Sequence, residues 1–293
     1  MMSTLTNKFD LPLPVCVAVA NDSYDRGESD ITVTELIKPP QIRWLEARHP
    51  TVEDVSDRLW AMHGTVVHGA LERAAVGLPS FVIEQRFYNT FSVRGKAIKV
   101  GGKIDLYDPA TLTLDDYKFT SVWGQDGKIE WEQQMNMLAY LVGVAGHEVE
   151  TVRVVAMFRD WQMAKAKQGY ADYPPNPIKI IPVRRWTEGE TLAFFQQRLE
   201  EHYLVDGELP RECTSEERWA TAPTFAVMKP GMKRAMRLFD TLEDAEKFRI
   251  EETTAKVKPQ VVQRPIEYKR CQSYCRVCHV CPQLAREAAV LPF

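Results

Sequence analysis

The sequence predicts an α/β protein with a mixed β-sheet flanked by helices, and three observations support that class. The chain has 293 residues, of which 45% are hydrophobic and 26% are charged, so it is long and apolar enough to bury a core. Strand-like segments with alternating apolar residues fill positions 81–119. Helical patterns precede and follow these strands, as expected of a sheet covered by helices.

The N-terminal helices are indicated by their start signals. Pro40 fits the first turn of a helix over 41–49 that ends before Pro50. Thr51 and Asp54 have the spacing of a capping box, which predicts a second helix running to about Val76.

The predicted strands begin after this helix. Segments 81–88, 92–100 and 103–107 suggest a meander with turns at Asn89–Thr90 and Gly101–Gly102. Asp108–Pro109 fits the first two positions of a type I turn, after which we expect one more strand. The remaining predictions for this region are a strand over 111–119, a helix over 130–144, strands over 151–158 and 178–183, and a helix from the capping box Thr187/Glu190 to about Tyr203.

The C-terminal third is predicted to be smaller and more basic. Segment 225–239 suggests two strands around a Pro230–Gly231 turn, followed by a helix capped by Thr241. This hairpin is either a phosphate-binding surface or a solvated ribbon, and its basic residues are Lys229, Lys233, Arg234 and Arg237. We expect an N-terminal extension (1–30), a core (31–205), a small basic α+β insertion (206–255) and a cysteine-rich tail (256–293) that packs back on the core.

Charge and apolar runs limit the class of protein. The net charge of −3 argues against a chain wrapped in nucleic acid, although basic residues concentrate in the last third. No basic segment precedes a long apolar run, and the longest weakly polar run, 135–146, is much shorter than the ~20 residues of a membrane span. We therefore expect a cytoplasmic protein without a membrane partner, in which thiols stay reduced.

Two aspartates and a lysine form the main candidate site. Asp116 and Lys118 lie two residues apart on one predicted strand, so they share a face while Asp115 points to the other. The turn at Asp108–Pro109 would bring Asp105 beside them. Carboxylates so close repel each other unless a cation lies between them, and oxygen ligands suit Mg²⁺ or Mn²⁺. The pattern suggests metal-assisted phosphodiester hydrolysis, although D-x-K also occurs in surface hairpins as a solvated ion pair.

Four cysteines form a second candidate site within eleven residues, at Cys271, Cys275, Cys278 and Cys281. Four thiolates this close can bind tetrahedral Zn²⁺ or an iron–sulfur cluster. The alternative is a group of partly buried free thiols.

Taken with their neighbours, these residues resemble the RecB-like branch of the PD-(D/E)XK nuclease superfamily over 32–161 and again in the tail. GTVVHGALE is similar to the G-x-x-x-H helix of these nucleases, with His68 as its histidine. GGKIDLYD carries Asp105, and LDDYKF carries the D-x-K motif at Asp116 and Lys118. EQQMNMLAYL resembles the glutamine helix that follows, with Gln134 preferred over Gln133.

The resemblance implies a role for each residue. His68, Asp105 and Asp116 would hold Mg²⁺ or Mn²⁺, Lys118 would position or activate water, and Gln134 would orient substrate or water. Glu84 is either a further metal ligand or a surface charge, and His63 has no assigned role. The implied function is a DNA nuclease, in particular an exonuclease, of phage or bacterial recombination or repair. A recombination or replication protein is a candidate partner.

The resemblance also extends to the cysteines. The relatives in question are phage-type exonucleases and the AddB-like and CRISPR-associated nucleases, and the latter two hold a four-iron cluster through three C-terminal cysteines and one upstream. Cys275-x5-Cys281 matches the last pair, whereas residues 38–49 lack the upstream cysteine, for which Cys213 or Cys16 could substitute. On this resemblance alone, a [4Fe–4S] cluster is favoured over zinc.

A different class of function also fits the sequence, namely a non-catalytic DNA-binding or scaffold protein with a structural zinc or iron–sulfur knuckle. A motor function is unsupported because no G-x-x-x-x-G-K-[ST] motif is present. Trp123, just after the D-x-K strand, could stack on a base, but we expect it in the core.

Overall fold

A computed structural model describes residues 4–22, 25–78, 80–124, 126–170, 172–204, 208–254 and 257–290. The chain divides into two compact units, Met1–Arg211 and Glu212–Phe293. The predicted boundaries at 205/206 and 255/256 lie outside the described residues. Among the described residues, no helix is long and apolar enough to cross a membrane.

The first unit contains most of the sheet structure. Its strands are β1 (Thr4–Thr6), β2 (Ile31–Thr32), β3 (Val52–Asp54), β4 (Val82–Ile83), β5 (Arg86–Val93), β6 (Lys96–Lys103), β7 (Leu106–Asp108), β8 (Thr113–Thr120), β9 (Thr151–Phe158) and β10 (Ile178–Pro182). Its helices are α1 (Leu13–Asn21), α2 (Val33–Ile37), α3 (Pro40–Arg48), α4 (Val55–Ala75), α5 (Ile129–Val144), α6 (Met163–Lys167) and α7 (Glu188–His202), with a 3-10 turn at Val122–Gly124.

A five-stranded mixed sheet in the order β10-β9-β8-β7-β4 organises this unit. β8 pairs antiparallel with β7 and parallel with β9, and helix α5 makes the crossover between β8 and β9, as a parallel connection requires. A three-stranded sheet, β2-β6-β5, lies earlier in the chain. The predicted α/β class with a mixed sheet is therefore confirmed.

Helix α5 packs directly on β6. Its residues Met137, Leu138 and Leu141 are fully or almost fully buried. A Cβ added at Gly102 would lie 2.4 Å from Leu138 Cδ2 and 3.0 Å from Leu141 Cδ1. Glycine is thus required here by the close approach of strand and helix.

Both strands of the long hairpin that begins at β4 and returns through β7 are interrupted at the same level. The interruption covers Glu84–Gln85 on one side and Ile104–Asp105 on the other. Backbone pairing continues across it, since Glu84 N–H donates to the Asp105 carbonyl at 3.1 Å and Ile104 N–H donates to the Gln85 carbonyl at 2.9 Å. Glu84 has a left-handed φ of 50°. Such a local change of backbone direction re-aims side chains.

The structure corrects the predicted meander. The turn falls at Arg94–Gly95, between β5 and β6, rather than at Asn89–Thr90, and Gly101–Gly102 lies inside β6. The glycine pair is required because Ser29, Tyr88 and α5 lie against β6, not because the chain turns there.

One N-terminal prediction is also corrected. Helix α4 is capped by Asp54 rather than Thr51, with Asp57 completing the capping box, because 52–54 is already strand β3. Within the predicted N-terminal extension, β1 pairs in parallel with β3.

The second unit combines the predicted basic insertion and the cysteine tail. Its elements are β11 (Thr224–Met228), β12 (Arg237–Phe239), α8 (Leu242–Glu251), β13 (Gln260–Arg264), a π-helical turn (Arg270–Tyr274), a 3-10 turn (Cys278–Val280) and α9 (Pro282–Val290). β11 is the central strand, with β12 on one side and β13 on the other. Because β13 belongs to the predicted tail, the two segments share one sheet. Packing of the tail on the core stays a prediction.

Candidate active site

Four elements of the first unit contribute the candidate site residues. His68 comes from the middle of α4, and Glu84 and Asp105 come from the two sides of the strand interruption. Asp116 and Lys118 come from β8, and Gln134 comes from the first half of α5. The register of β7 and β8, which places Leu106 opposite Asp115, carries Asp105 to β8 as the hairpin turn predicts.

Three of these residues form a tight group. His68 Nδ1 lies 3.5 Å from Asp105 Oδ1 and 3.7 Å from Glu84 Oε1. One ligand atom from each residue lies within 4.8 Å of the other two. An imidazole and two carboxylates this close form a donor set for a divalent cation. Glu84, which the sequence left open between ligand and surface charge, belongs to this group.

Each carboxylate is held through one oxygen by a neighbour. Tyr117 N–H donates to Asp105 Oδ2 at 2.7 Å, and Lys103 Nζ contacts Glu84 Oε2. In both residues it is the other oxygen that approaches His68. The carboxylates are therefore fixed in orientation before any ligand binds, as a preorganised site requires.

Asp116 lies outside the tight group but shows the same arrangement. Gln134 Nε2 donates to Asp116 Oδ1 at 3.3 Å, which agrees with the preference for Gln134 over Gln133. Lys118 Nζ lies 2.7 Å from Asp116 Oδ2. Oδ2 is buried, and no hydrogen bond of normal geometry reaches it from the described residues. A buried carboxylate oxygen that accepts no hydrogen bond can take a further ligand.

The charges at the site shift its pKa values. The pKa of Asp105 is raised to about 7, chiefly by burial and also by the nearby Asp116 carboxylate, against the opposing effects of His68 and Lys118. The pKa of His68 is raised by Glu84 and, more weakly, by Asp105, against the opposing effect of burial. Burial alone would raise the pKa of Glu84, but His68 and Lys103 together hold it below its ordinary value.

Sequence reasoning missed Lys103. Lys103 lies two residues from Asp105, which is the same spacing as between Asp116 and Lys118. This repeated pairing of a lysine with a nearby carboxylate is the sequence signal by which Lys103 could have been found. Trp123 is a correction, because it is 80% exposed rather than in the core. His63 contacts Trp60 and Phe119 through ring edges.

The cysteines lie in the second unit, apart from Cys16, and all six are reduced and partly buried. Arg218 Nε donates to Cys271 Sγ at 3.4 Å. Burial raises the pKa of Cys213 to about 12, with contributions from Glu217 and from the thiols of Cys281, Cys271 and Cys275. The structure thus brings the upstream Cys213 to the tail cysteines.

Two hydrogen bonds fix the backbone of Cys213. Its N–H donates to Gln283 Oε1 at 3.1 Å, and Gln283 Nε2 donates to the Cys213 carbonyl at 3.1 Å. Gln283 is buried and is the second residue after Cys281. Cys213 is therefore anchored at the end of the cysteine segment.

The basic hairpin forms as predicted, with Phe225 opposite Phe239. Lys229, Lys233 and Arg234 lie in the exposed connection between β11 and β12, and Arg237 lies in β12. Arg237 also stacks over Phe239, with 5.1 Å between the guanidinium carbon and the ring centre.

Comparisons with known proteins give little beyond this geometry. No model of a known protein family matches the sequence, and no curated protein matches it. A solved structure described as "Crystal structure of SSO0001" aligns with 63% of this chain and 82% of its own, at 17% identity and a TM-score of 0.44.

Proposed function

We propose that the first unit is a divalent-metal-dependent nuclease that hydrolyses phosphodiester bonds in DNA. The observation that carries this proposal is the convergence of His68, Glu84 and Asp105 within 4.8 Å, beside an Asp116–Lys118 pair on β8. The resemblance of the sequence to RecB-like PD-(D/E)XK nucleases supports the same assignment and favours an exonuclease.

The residues fit Mg²⁺ or Mn²⁺. His68, Glu84, Asp105 and Asp116 would hold it, and the buried Asp116 Oδ2, which is in contact with Lys118 but accepts no hydrogen bond from the described residues, would gain a ligand. Bound there, the cation would lower the pKa of a water and neutralise charge on a phosphoryl oxygen.

The protein's own groups have separate tasks. Lys118 Nζ, 2.7 Å from Asp116 Oδ2, reaches the same space as the carboxylates and is placed to orient the attacking water and to stabilise the extra negative charge on phosphorus. Gln134 keeps the Asp116 carboxylate in its orientation. Lys103 and Tyr117 do the same for Glu84 and Asp105.

Cleavage of linear and circular DNA tests the proposal, with Mg²⁺, with Mn²⁺ and with EDTA. We expect metal-dependent cleavage by the wild type, at least ~10³-fold slower cleavage by Asp116→Ala, and unchanged cleavage by Asp126→Asn, an exposed aspartate of the same unit. An exonuclease would spare the circular DNA.

Equal cleavage by the wild type and Asp116→Ala would exclude this site as the catalytic centre. DNA binding without any cleavage would favour the rival function, a non-catalytic DNA-binding or scaffold protein.

For the second unit we propose an iron–sulfur cluster held by Cys271, Cys275 and Cys281, with Cys213 as the fourth ligand in preference to the predicted Cys278. The resemblance to iron–sulfur nucleases supports the cluster over zinc, and their pattern of three C-terminal cysteines and one upstream supports Cys213, whose pKa is raised in part by the thiols of Cys281, Cys271 and Cys275. Arg218 beside Cys271 favours the thiolate of that residue.

Metal content and visible absorbance after anaerobic purification test this proposal without reference to activity. We expect Cys213→Ser to lose iron and brown colour, and Cys278→Ser and Cys16→Ser to keep both. Colourless protein with stoichiometric zinc would overturn the cluster. Loss with Cys278→Ser instead would assign the fourth ligand to Cys278.

We also propose that Lys229, Lys233, Arg234 and Arg237 bind the phosphate backbone. All four are exposed, and no ion pair engages Lys229, Lys233 or Arg234 within the described part of the chain. Replacing the three by alanine should weaken DNA binding and reduce its salt dependence by about three counterions. An unchanged salt dependence would contradict this.

A further inference from the structure

An exposed tryptophan lies on α4, the helix that also carries His68. Trp60, in the second turn of α4, is 55% exposed. The guanidinium carbon of Arg159 lies 4.8 Å from the centre of its ring. Large aromatic side chains are normally buried, so an exposed one beside an arginine suggests a ligand that stacks.

A row of rings links Trp60 to the D-x-K strand. Trp60 meets His63 edge to face at 5.4 Å between ring centres, and His63 meets Phe119 in the same way at 6.3 Å. Phe119 directly follows Lys118. Arg159 is fixed at the same end of β8, because its N–H donates to the Thr120 carbonyl at 2.8 Å.

The separation suits a strand that extends from the candidate site. Trp60 precedes His68 by eight residues in one helix, which is about 12 Å along its axis. That is roughly three to four steps at the 3.4 Å spacing of stacked bases. A strand with its phosphodiester at His68 can therefore place a base at Trp60.

The charge around Trp60 suits the same ligand. Across the described residues, no carboxylate forms an ion pair with Arg159, so the cation is available to the phosphate next to a stacked base. Ring and guanidinium planes stack on any base without reading its identity. In a duplex the base faces are already stacked on each other, and presenting one to Trp60 costs a few kcal/mol of unstacking.

We propose that Trp60 and Arg159 form a stacking site for an unpaired nucleobase, so that single-stranded DNA is the substrate class of this protein. The proposal rests on the proposed nuclease function for the position of the strand. Trp123, 80% exposed just beyond β8, is a second exposed ring near the end of this strand.

Binding to a short fluorescein-labelled single strand and to its blunt duplex tests the proposal, with the non-cleaving Asp116→Ala protein in EDTA as background. Trp60→Ala should weaken binding of the single strand about 10-fold and binding of the duplex less than about 2-fold. Trp60→Phe should retain most of the affinity, and Arg159→Ala should act in the same direction as Trp60→Ala. The matched control is Trp44→Ala, because Trp44 also stacks with an arginine, Arg48, at 4.0 Å, but on α3.

The outcomes separate this proposal from the nuclease proposal. An equal loss for single strand and duplex, no loss, or the same loss with Trp44→Ala would overturn the stacking site, whatever the cleavage assay shows. Full cleavage by Asp116→Ala would overturn the nuclease proposal, yet a selective loss of single-strand binding with Trp60→Ala would still support the stacking site. Thermal melting of each variant confirms that it is folded.

Discussion

The two faces of β8 carry neighbouring aspartates in opposite circumstances. Asp115 accepts two hydrogen bonds of 2.7 Å from the guanidinium of Arg153, so its charge is neutralised within the protein. Asp116, the next residue, lies near the Asp105 carboxylate, and the cation in contact with it is Lys118, whose Nζ lies 2.7 Å from Oδ2. The difference teaches that burial and charge alone do not distinguish structural from functional carboxylates. The two kinds of carboxylate are distinguished by whether the fold itself supplies enough positive charge to neutralise them.

The largest effect is expected on the rate of DNA cleavage, and it should distinguish Lys118 from Arg153. Lys118→Ala should lower the rate of DNA cleavage by about 10²–10⁴-fold, because the residue orients water and stabilises developing charge. Arg153→Ala should change the rate per folded molecule by less than about threefold. Similar losses for both variants would remove the functional distinction between the faces.

A pH dependence of a few kcal/mol should follow from the candidate site in metal-free protein. The folded pKa of Asp105, about 7, exceeds its ordinary value of 3.8, so the folded state holds a proton that the unfolded chain has lost between these pH values. The contribution of this proton to the free energy of unfolding is complete below about pH 4 and disappears as the pH rises through 7. His68, with a raised pKa, acts in the same direction. Glu84 has a lowered pKa, so it stabilises the folded state above pH 4.5, its ordinary pKa, and loses this stabilisation only at lower pH.

Urea unfolding in EDTA between pH 5 and pH 8 measures this dependence. The wild type should lose stability as the pH rises, and Asp105→Asn should lose much less. Mg²⁺ should counteract the loss at high pH, since it replaces the protons. Parallel curves for the two proteins would contradict the raised pKa.

A smaller effect is expected where α5 packs on β6, and it is an effect on stability. Gly102→Ala places a Cβ 2.4 Å from Leu138 Cδ2 and should lower the free energy of unfolding by about 1–3 kcal/mol. Gly143→Ala, on the same helix with open space around its Cβ, should be neutral or stabilising by up to about 1 kcal/mol. Chemical denaturation of both variants makes the comparison, and an equal effect would argue against tight packing at Gly102.

The smallest effect is expected on the structural face. Asp115→Asn keeps the shape of the side chain but removes the charge facing the partly exposed Arg153, which should cost about 1 kcal/mol. Asp116→Asn should instead leave the metal-free protein equally or more stable, because it relieves repulsion. Thermal melts in EDTA test this contrast, and a larger loss with Asp116→Asn would reverse it.

Local rules were sufficient for part of the site. Strand alternation and the Asp108–Pro109 turn predicted the meeting of Asp105, Asp116 and Lys118. Glu84 could not be placed in this way, because its direction depends on a left-handed backbone at the strand interruption. The Gly101–Gly102 pair was misread as a turn because its cause, contact with α5, is distant in sequence.

Contacts distant in sequence also explain what was missed elsewhere. Cys213 meets Gln283 across 70 residues, which no spacing rule predicts. The exposure of Trp123 depends on which residues happen to pack beyond the end of β8.

The short hairpin of β7 and β8 has a consequence for how the site assembles during folding. Its two strands are joined by only the four residues 109–112, so closing it costs little chain entropy. The parallel pairing of β8 with β9 must wait for the whole α5 crossover, and such non-local pairing is slow. Asp105 and Asp116 are therefore expected to meet early, with Lys118 of the same hairpin as the nearby cation, whereas Gln134 joins them only when the crossover helix docks. A divalent cation that binds the proposed site would favour this first hairpin and would thus take part in folding.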